Sequence, residues 1–288
     1  MRRRSWEIAE RLSWPGLLIG LKRRGAGRPA DLVEEIVPAG GDSGQHVLIV
    51  RPAAGVVAPA LVCFMHGGGW RHGSPEDFRA VGRFFARHGY VTALIGYRLV
   101  PVALFPAQRD DVLAGMAATL AYAHDRKLPC RLVLAGQSAG AHLAALAAFD
   151  TESREAAGLA SAEIGGVLSV SGPLDFDALC PGRVGCPLVE GLMGGRDGWE
   201  TADPVRFAHG GPPIPTLCLH GSRDPLVPSE VSASFVLRAN GSEGDHAVFM
   251  ADRNAHHSDM MRLFFGTSPL TRPMLQWLAE VAGVSGRS

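Results

Sequence analysis

Short apolar runs recur along this chain, and between them the apolar positions follow helical spacing. The runs are rich in Val, Leu, Ile and Ala, and most are bounded by Gly, Pro, Asn or Asp, which is typical of strands. Eight such runs therefore predict eight strands. They cover Leu32–Val37, His46–Arg51, Ala60–Met65, Val91–Gly96, Arg131–Ala135, Gly166–Val170, Pro215–Leu219 and His246–Met250.

The connections between the runs predict how the strands are arranged. The first two runs are separated by the turn sequence Gly40–Gly44, which favours an antiparallel hairpin. From Ala60 onward, strands alternate with helical patterns, such as those around Pro75–His88 and Ala107–Ala123. This alternation predicts the α/β class, with a mostly parallel eight-stranded sheet and helices on both of its faces. Ligands of such sheets bind beyond the carboxyl ends of the strands.

The length of 288 residues fits one large domain, and no linker divides the chain. We assign residues 31–288 to this domain and residues 1–30 to an N-terminal helical segment. Three roles stay open for that segment: a helix packed on the body, a mobile cap over the site, or a weak membrane contact. Its short apolar stretch is interrupted by Pro15 and predicts no stable membrane insertion. Residues 176–211 are rich in Gly and Pro, and we expect a cap insertion there.

The strongest chemical signal is the sequence G-Q-S-A-G at Gly136–Gly140, which directly follows the predicted strand Arg131–Ala135. A helical pattern begins at Ala139. This order of strand, sharp turn and helix is typical of a nucleophile elbow, in which the serine stands exposed above the end of a sheet. The flanking glycines leave room for the neighbouring strand and helix. The pattern predicts that Ser138 is a nucleophile.

A serine hydroxyl becomes a good nucleophile when a histidine removes its proton, and a carboxylate must hold that histidine. In this fold the acid and then the histidine follow the serine along the chain. Asp224 lies just past the predicted strand Pro215–Leu219 and is the expected acid. Two adjacent histidines, His256 and His257, follow the last predicted strand, and their side chains must diverge. We predict His256 as the base, with His257 as the alternative.

The negative oxygen of a tetrahedral intermediate needs N–H donors that are already in position. The sequence His66–Trp70 reads H-G-G-G-W and follows the predicted strand Ala60–Met65. Glycines allow the backbone to turn its N–H groups into a site. We predict that Gly68 and Gly69, together with the first helical residue Ala139, form an oxyanion hole.

The other histidines receive no catalytic role at this point. His220 is interpreted as a structural residue at a strand end that the following turn holds, and His246 lies too early, at a strand entry. A metal centre is disfavoured because the chain has no H-E-x-x-H motif and adjacent histidines are awkward ligands of one ion. The candidate ligands of such a centre would be His246, Asp252, His256, His257 and Asp259.

Composition narrows the class of partner. Lys and Arg number 28, as do Asp and Glu, so the formal net charge is zero and no nucleic-acid partner is indicated. The five cysteines have no zinc-like C-x-x-C spacing, and three lie in or beside predicted buried strands. We expect a reducing compartment, and therefore the cytoplasm.

Six sequence blocks occur in a familiar order across residues 45–265. The chain resembles α/β-hydrolases of the hormone-sensitive-lipase-like and acyl-peptide-hydrolase-like esterase group, which includes carboxylesterases and kynurenine-formamidase-like enzymes. The resemblance implies the α/β-hydrolase fold and a catalytic triad of Ser138, Asp224 and His256. The blocks are His66–Trp70, Tyr97–Pro101, Phe105–Ala107, Gly136–Gly140, Ser171–Asp175 and His220–Pro228.

Three positions depart from the pattern of that group. The group often has Asp or Asn where Gly96 stands and Glu where Val102 stands, and it commonly has Asp, His or Gly in place of Gln137. These positions concern support residues and the pocket floor. The departures leave the predicted fold and triad unchanged but weaken any transfer of substrate identity.

Together, motifs and resemblance predict a serine hydrolase that cleaves a carboxylic ester of a small to medium substrate through an acyl-enzyme. No metal or organic cofactor is required, and a monomer or a homodimer is expected. The same machinery also fits an amide, formamide or lactone hydrolase, or an acyl transferase in a biosynthetic pathway. A binding module without catalysis is the weakest alternative, because the serine and the histidines are retained.

Overall fold

The computed structural model describes residues 16–17, 19–55, 58–180, 185–242 and 244–283. All eight predicted strands are present, and each end lies within two residues of the predicted one. The strands are β1 (Leu32–Pro38), β2 (His46–Pro52), β3 (Leu61–Met65), β4 (Val91–Ile95), β5 (Leu132–Gln137), β6 (Ile164–Val170), β7 (Thr216–Gly221) and β8 (Ala247–Asp252).

The strands form one sheet in the order β1-β2-β4-β3-β5-β6-β7-β8. The first hairpin is antiparallel, as predicted, and β2 also pairs antiparallel with β4. Every other neighbouring pair is parallel. The prediction of a mostly parallel sheet in the α/β class is confirmed.

Helices connect the parallel strands, and both predicted helices are found. The first of them begins as a 3-10 turn at Pro75–Phe78 before α1, and two further 3-10 helices cover Trp199–Thr201 and Ser258–Phe265. The α-helices are α1 (Arg79–Arg87), α2 (Ala107–Asp125), α3 (Ala139–Phe149), α4 (Thr151–Ala156), α5 (Phe176–Leu179), α6 (Gly185–Met193), α7 (Pro204–Ala208), α8 (Ser229–Asn240) and α9 (Thr271–Val281).

The sheet separates two hydrophobic cores, because successive side chains of a strand point to opposite faces. In β3, Leu61 and Met65 belong to the core on one face, whereas Val62 and Phe64 belong to the core on the other. All of β3 is buried, which explains why this strand reads as a continuous apolar run rather than an alternating one. The central strands thereby form a rigid platform, and their carboxyl ends carry the predicted site residues.

Most of the N-terminal segment 1–30 lies outside the described residues. Where it is described, residues 19–24 are helical, Leu21 is fully buried, and the guanidinium of Arg24 lies 4.0 Å from the ring centroid of Phe265. This part of the segment therefore packs on the body of the domain.

Candidate active site

Ser138 stands on a strained turn between β5 and α3. Its φ is 54° and its ψ is −121°, a backbone conformation that costs energy for any residue with a side chain. A Cβ on Gly136 would overlap the backbone of Gly140, and a Cβ on Gly140 would overlap the carbonyl oxygen of Met65. The two glycines of the motif are thus required by close packing, and the serine is held half-exposed at the tip.

Asp224 lies in the turn that follows β7, and its carboxylate is well ordered by hydrogen bonds. Oδ1 accepts the backbone N–H groups of Leu226 and Val227, both at 2.9 Å. Burial disfavours the charged form, but attraction to His257 and a hydrogen bond from His220 outweigh it and hold the pKa of Asp224 below its usual range. The group is therefore a carboxylate at neutral pH.

The structure brings Asp224 together with His257, not with the predicted His256. Nδ1 of His257 lies 2.5 Å from Oδ2 of Asp224, and both side chains are buried. His256 instead directs its ring to Asp259, with 3.1 Å between Nδ1 and Oδ2, and its backbone N–H binds the same oxygen at 3.0 Å. Because each histidine has its own carboxylate, the expectation for His256 is corrected: His257 is the histidine that faces the acid.

The sequence indicates no catalytic part for Gln137, but the structure places it beside His257. Its side chain is fully buried, and its Nε2 lies 3.2 Å from Nε2 of His257. The space for this amide exists because Gly67 has no side chain: a Cβ there would overlap Oε1 of Gln137. One side chain therefore contacts both His257 and the start of the glycine loop. The signal that was available is its position, directly before the nucleophile.

The glycine loop after β3 turns sharply where the oxyanion donors were predicted. Gly68 and Gly69 have φ values of 126° and 60°, and Trp70 follows with a φ of 58°. A Cβ on Gly68 would overlap the carbonyl oxygen of His72. The carbonyl of Gly68 accepts the N–H groups of Arg71 and His72, both at 3.1 Å, so this loop is closed on itself.

Two buried, stacked rings lie at the start of that loop. The rings of His66 and Tyr97 lie 4.3 Å apart and nearly parallel, and the hydroxyl of Tyr97 donates to the carbonyl of His66 at 2.7 Å. Burial lowers the pKa of His66 to about 4, so its ring is neutral at neutral pH. The backbone of Trp70 is fixed as well, because its carbonyl accepts the N–H of Val100 at 3.0 Å.

Ala139, the third predicted donor, is the first residue of α3. The N–H groups of the first helical turn have no partner within the helix, and the helix dipole favours negative charge at this end. Its N–H group is therefore suited to meeting an anionic oxygen next to Ser138.

The Gly- and Pro-rich region 176–211 contains α5, α6, the second 3-10 helix and α7, and α6 covers part of the loop. A side-chain methyl of Leu188 would lie 3.4 Å from a Cβ placed on Gly69. The buried ring of His142, on α3, binds the carbonyl of Ala202 through Nε2 at 2.7 Å. Burial lowers the pKa of His142 to about 4. This contact fastens the covering region to α3, the helix that follows Ser138.

Two further observations apply to the described part of the chain. No grouping of three or more His, Cys, Asp or Glu side chains there has an arrangement that would hold a metal ion. None of its helices is long and apolar enough to cross a membrane.

Comparison with known proteins places these features in a family context. The chain is 28% identical to esterase LipQ of Mycobacterium tuberculosis over 259 residues and 30% identical to esterase LipC of the same organism over 243 residues. These alignments cover 83% and 78% of this chain, which spans 59% of the length of each relative. Among solved structures, esterase B of Lactobacillus rhamnosis superposes with a TM-score of 0.77 at 19% identity, over 98% of this chain and 96% of that one.

The solved structure shows that the fold is that of the α/β-hydrolases, and the resemblance stated from the sequence blocks is confirmed. The family model named BD-FAE matches residues 49–238, which run from β2 into α8 and include the glycine loop, Ser138 and Asp224. Since this match covers well over half of the chain, the protein belongs to the BD-FAE family.

Proposed function

We propose that this protein is a serine hydrolase that cleaves a carboxylic ester through an acyl-enzyme. One observation carries the proposal: a serine on a strained elbow lies on the same sheet edge as a buried pair of Asp224 and His257. A nucleophile, a base and an orienting acid are the three parts that this chemistry needs. The relatives LipQ and LipC are named esterases, which supports the same activity.

In the first half of the reaction, Oγ of Ser138 attacks the carbonyl carbon while Nε2 of His257 takes the hydroxyl proton. The carbonyl π electrons move to oxygen, and the resulting oxyanion accepts the N–H groups of Gly68, Gly69 and Ala139. Collapse of this intermediate breaks the bond to the leaving alcohol. His257 returns its proton to that alcohol, and the acyl group remains on Ser138.

In the second half, a water molecule repeats the sequence on the acyl-enzyme. His257 takes one proton of the water, the hydroxide attacks, and Ser138 leaves with the proton that His257 returns. Asp224 stays ionised throughout, since its pKa lies below the usual range. Its role is to hold the hydrogen of His257 on Nδ1 and to stabilise the imidazolium. The oxyanion and the imidazolium are thus both stabilised by groups of this chain.

The surroundings of the site extend the proposal. We expect α6 and its neighbours in residues 176–211 to act as a cap over a small or medium substrate, because Leu188 lies against Gly69. The five cysteines are free thiols in the structure, in keeping with the expected cytoplasmic location. Monomer and homodimer remain the two expected assemblies.

The test is turnover of a short-chain p-nitrophenyl ester by the wild-type protein and by Ser138→Ala. We expect the variant to keep its fold and to lose activity by several orders of magnitude. The matched anilide and a formamide are assayed in parallel, and the ester should be turned over fastest. Near-normal turnover by Ser138→Ala would overturn the proposal, and a preference for the formamide would change the bond that is cleaved.

A further inference from the structure

The acid of the proposed triad lies against a second imidazole. Oδ2 of Asp224, the oxygen that faces His257, is also 3.2 Å from Nε2 of His220. The side chains of His220 and Asp224 are fully buried. His220 is the last residue but one of β7, so the strand itself directs its ring toward the turn that carries the acid. A single carboxylate oxygen is therefore shared by two histidines.

The partners of His220 determine where its hydrogen lies. Nε2 is 2.8 Å from the carbonyl oxygen of Val227, and Nδ1 is 2.8 Å from Oγ of Ser232. A carbonyl and a carboxylate can only accept hydrogen bonds, so Nε2 must carry the hydrogen. Nδ1 can then accept the hydroxyl hydrogen of Ser232. The Nε2 hydrogen is shared between the carbonyl of Val227 at 2.8 Å and Oδ2 of Asp224 at 3.2 Å, and the ring is anchored at Nδ1 by Ser232 of α8.

We propose that His220 is a positioning residue of the esterase reaction, which acts through Asp224. This inference rests on the proposed function. The backbone N–H groups of Leu226 and Val227 hold Oδ1, and His220 contacts Oδ2, the oxygen that also faces His257. Together they stop the carboxylate from turning about its Cβ–Cγ bond, so that Oδ2 stays directed at His257.

The second donor also adjusts how strongly the acid stabilises the charged base. A carboxylate oxygen that accepts two hydrogen bonds offers less negative charge to each donor. Without His220, Oδ2 would stabilise the imidazolium of His257 more strongly. Neighbouring groups have little influence on the charge of His257, because the amide of Gln137 is uncharged and His256 is paired with Asp259.

Two variants of similar size separate this role from simple packing. In His220→Gln, the amide nitrogen takes the place of Nε2 and can still donate to Asp224. In His220→Asn, the shorter side chain places its amide near the position of Nδ1, so it keeps the contact with Ser232 but cannot reach Asp224. Both variants keep a polar group in the buried site, and both are compared with the wild type by thermal unfolding.

We expect kcat of His220→Asn to fall about tenfold to a hundredfold, as is typical when a partner that orients a functional histidine is lost. KM should change little, and the acid limb of the pH profile of kcat/KM should move to higher pH. His220→Gln should recover most of kcat and keep the wild-type acid limb. Both rates are referred to active sites counted by fluorophosphonate labelling.

Equal losses in the two variants, with an unmoved acid limb, would show that His220 only packs and would overturn the inference. A wild-type kcat in His220→Asn would also overturn the inference. Failure of the proposed function gives a different result, because the wild-type protein would then form no fluorophosphonate adduct that depends on Ser138.

Discussion

The turn that carries Ser138 and the loop that carries His257 lie at the carboxyl ends of two strands of one sheet, β5 and β8, but different forces determine them. The first is fixed by local sterics, because the glycines on either side of Ser138 leave no room for a Cβ. The second is fixed by a tertiary contact, because the hydrogen bond to Asp224 selects one of two adjacent histidines.

This difference explains which assignments a sequence can support. A sterically determined turn has a recognisable residue pattern, since only glycine fits at its close contacts. The loop after β8 has no such pattern. Each of its histidines has a carboxylate within reach, Asp259 for His256 and Asp224 for His257. Only the fold shows which of the two histidines pairs with Asp224.

The comparison is tested most strongly by replacing each histidine in turn. His257→Ala should lower kcat/KM by about a thousandfold or more, because the proposed base is lost, whereas His256→Ala should stay within about threefold. Steady-state kinetics on the same ester measures both. The reverse ranking would return the base to His256 and would contradict the assignment from Asp224.

The steric side of the comparison is tested at Gly140. Gly140→Ala should lower the free energy of unfolding by roughly 2 kcal/mol or more, because its Cβ would overlap the carbonyl of Met65. Activity per folded molecule should also fall, since the elbow must shift. Urea denaturation and ester turnover measure the two effects. Gly195→Ala is the control, because a Cβ there meets nothing within 4 Å; equal effects at both positions would refute the steric account.

Gln137 connects the two regions, and changing its charge should shift the pH dependence. In Gln137→Glu, a carboxylate beside Nε2 of His257 would stabilise the imidazolium, so the acid limb of kcat/KM should move to higher pH by about one unit. Gln137→Met is the uncharged control and should leave the limb in place while kcat falls several-fold. An unmoved limb in the glutamate variant would show that this side chain does not reach the base.

The last prediction concerns stability in acid rather than turnover. Burial lowers the pKa values of His66, at the start of the glycine loop, and His142, on α3, to about 4. As the pH falls, these rings therefore take up protons in the unfolded chain before they do so in the folded protein. Their contribution is fully present above pH ~6.5 and is lost as the pH falls toward 4, by about 1.4 kcal/mol per pH unit for each ring.

Asp224 behaves differently, because the contribution of its lowered pKa is complete above the pKa of the unfolded carboxyl, about 4, and is lost only as the pH falls below that value. Between pH 7.5 and 4.5 the urea midpoints therefore report the two histidines together with Asp203, whose pKa burial raises to about 7 and which acts in the opposite direction as the pH falls. His142→Asn should reduce the slope in this range. A slope that this substitution does not change would assign the acid sensitivity to other groups.

Much of the fold could be predicted from the sequence. The strands are short, apolar and bounded by turn residues, and their ends were placed within two residues. Ser138 and Asp224 could be located because each follows a recognisable strand. The chain has glycine at position 96, where related esterases often have Asp or Asn. The structure explains this difference, since a Cβ on Gly96 would overlap the carbonyl oxygen of Gly44.

What could not be predicted depends on contacts between distant segments. Gln137 meets His257 across 120 positions of the chain, and His220 meets Asp224 only because the turn after β7 folds back on its strand. Neither contact has a periodicity or a motif of its own. The same holds for the covering region, where Leu188 meets Gly69.

The central claim, that Ser138 is an activated nucleophile, is tested most directly by intact mass after treatment with a fluorophosphonate. The account predicts a single adduct on the wild-type protein, located on Ser138 by peptide mapping, and no adduct on Ser138→Ala. Folded wild-type protein that stays unlabelled, or a Ser138→Ala variant that is labelled equally well, would contradict it.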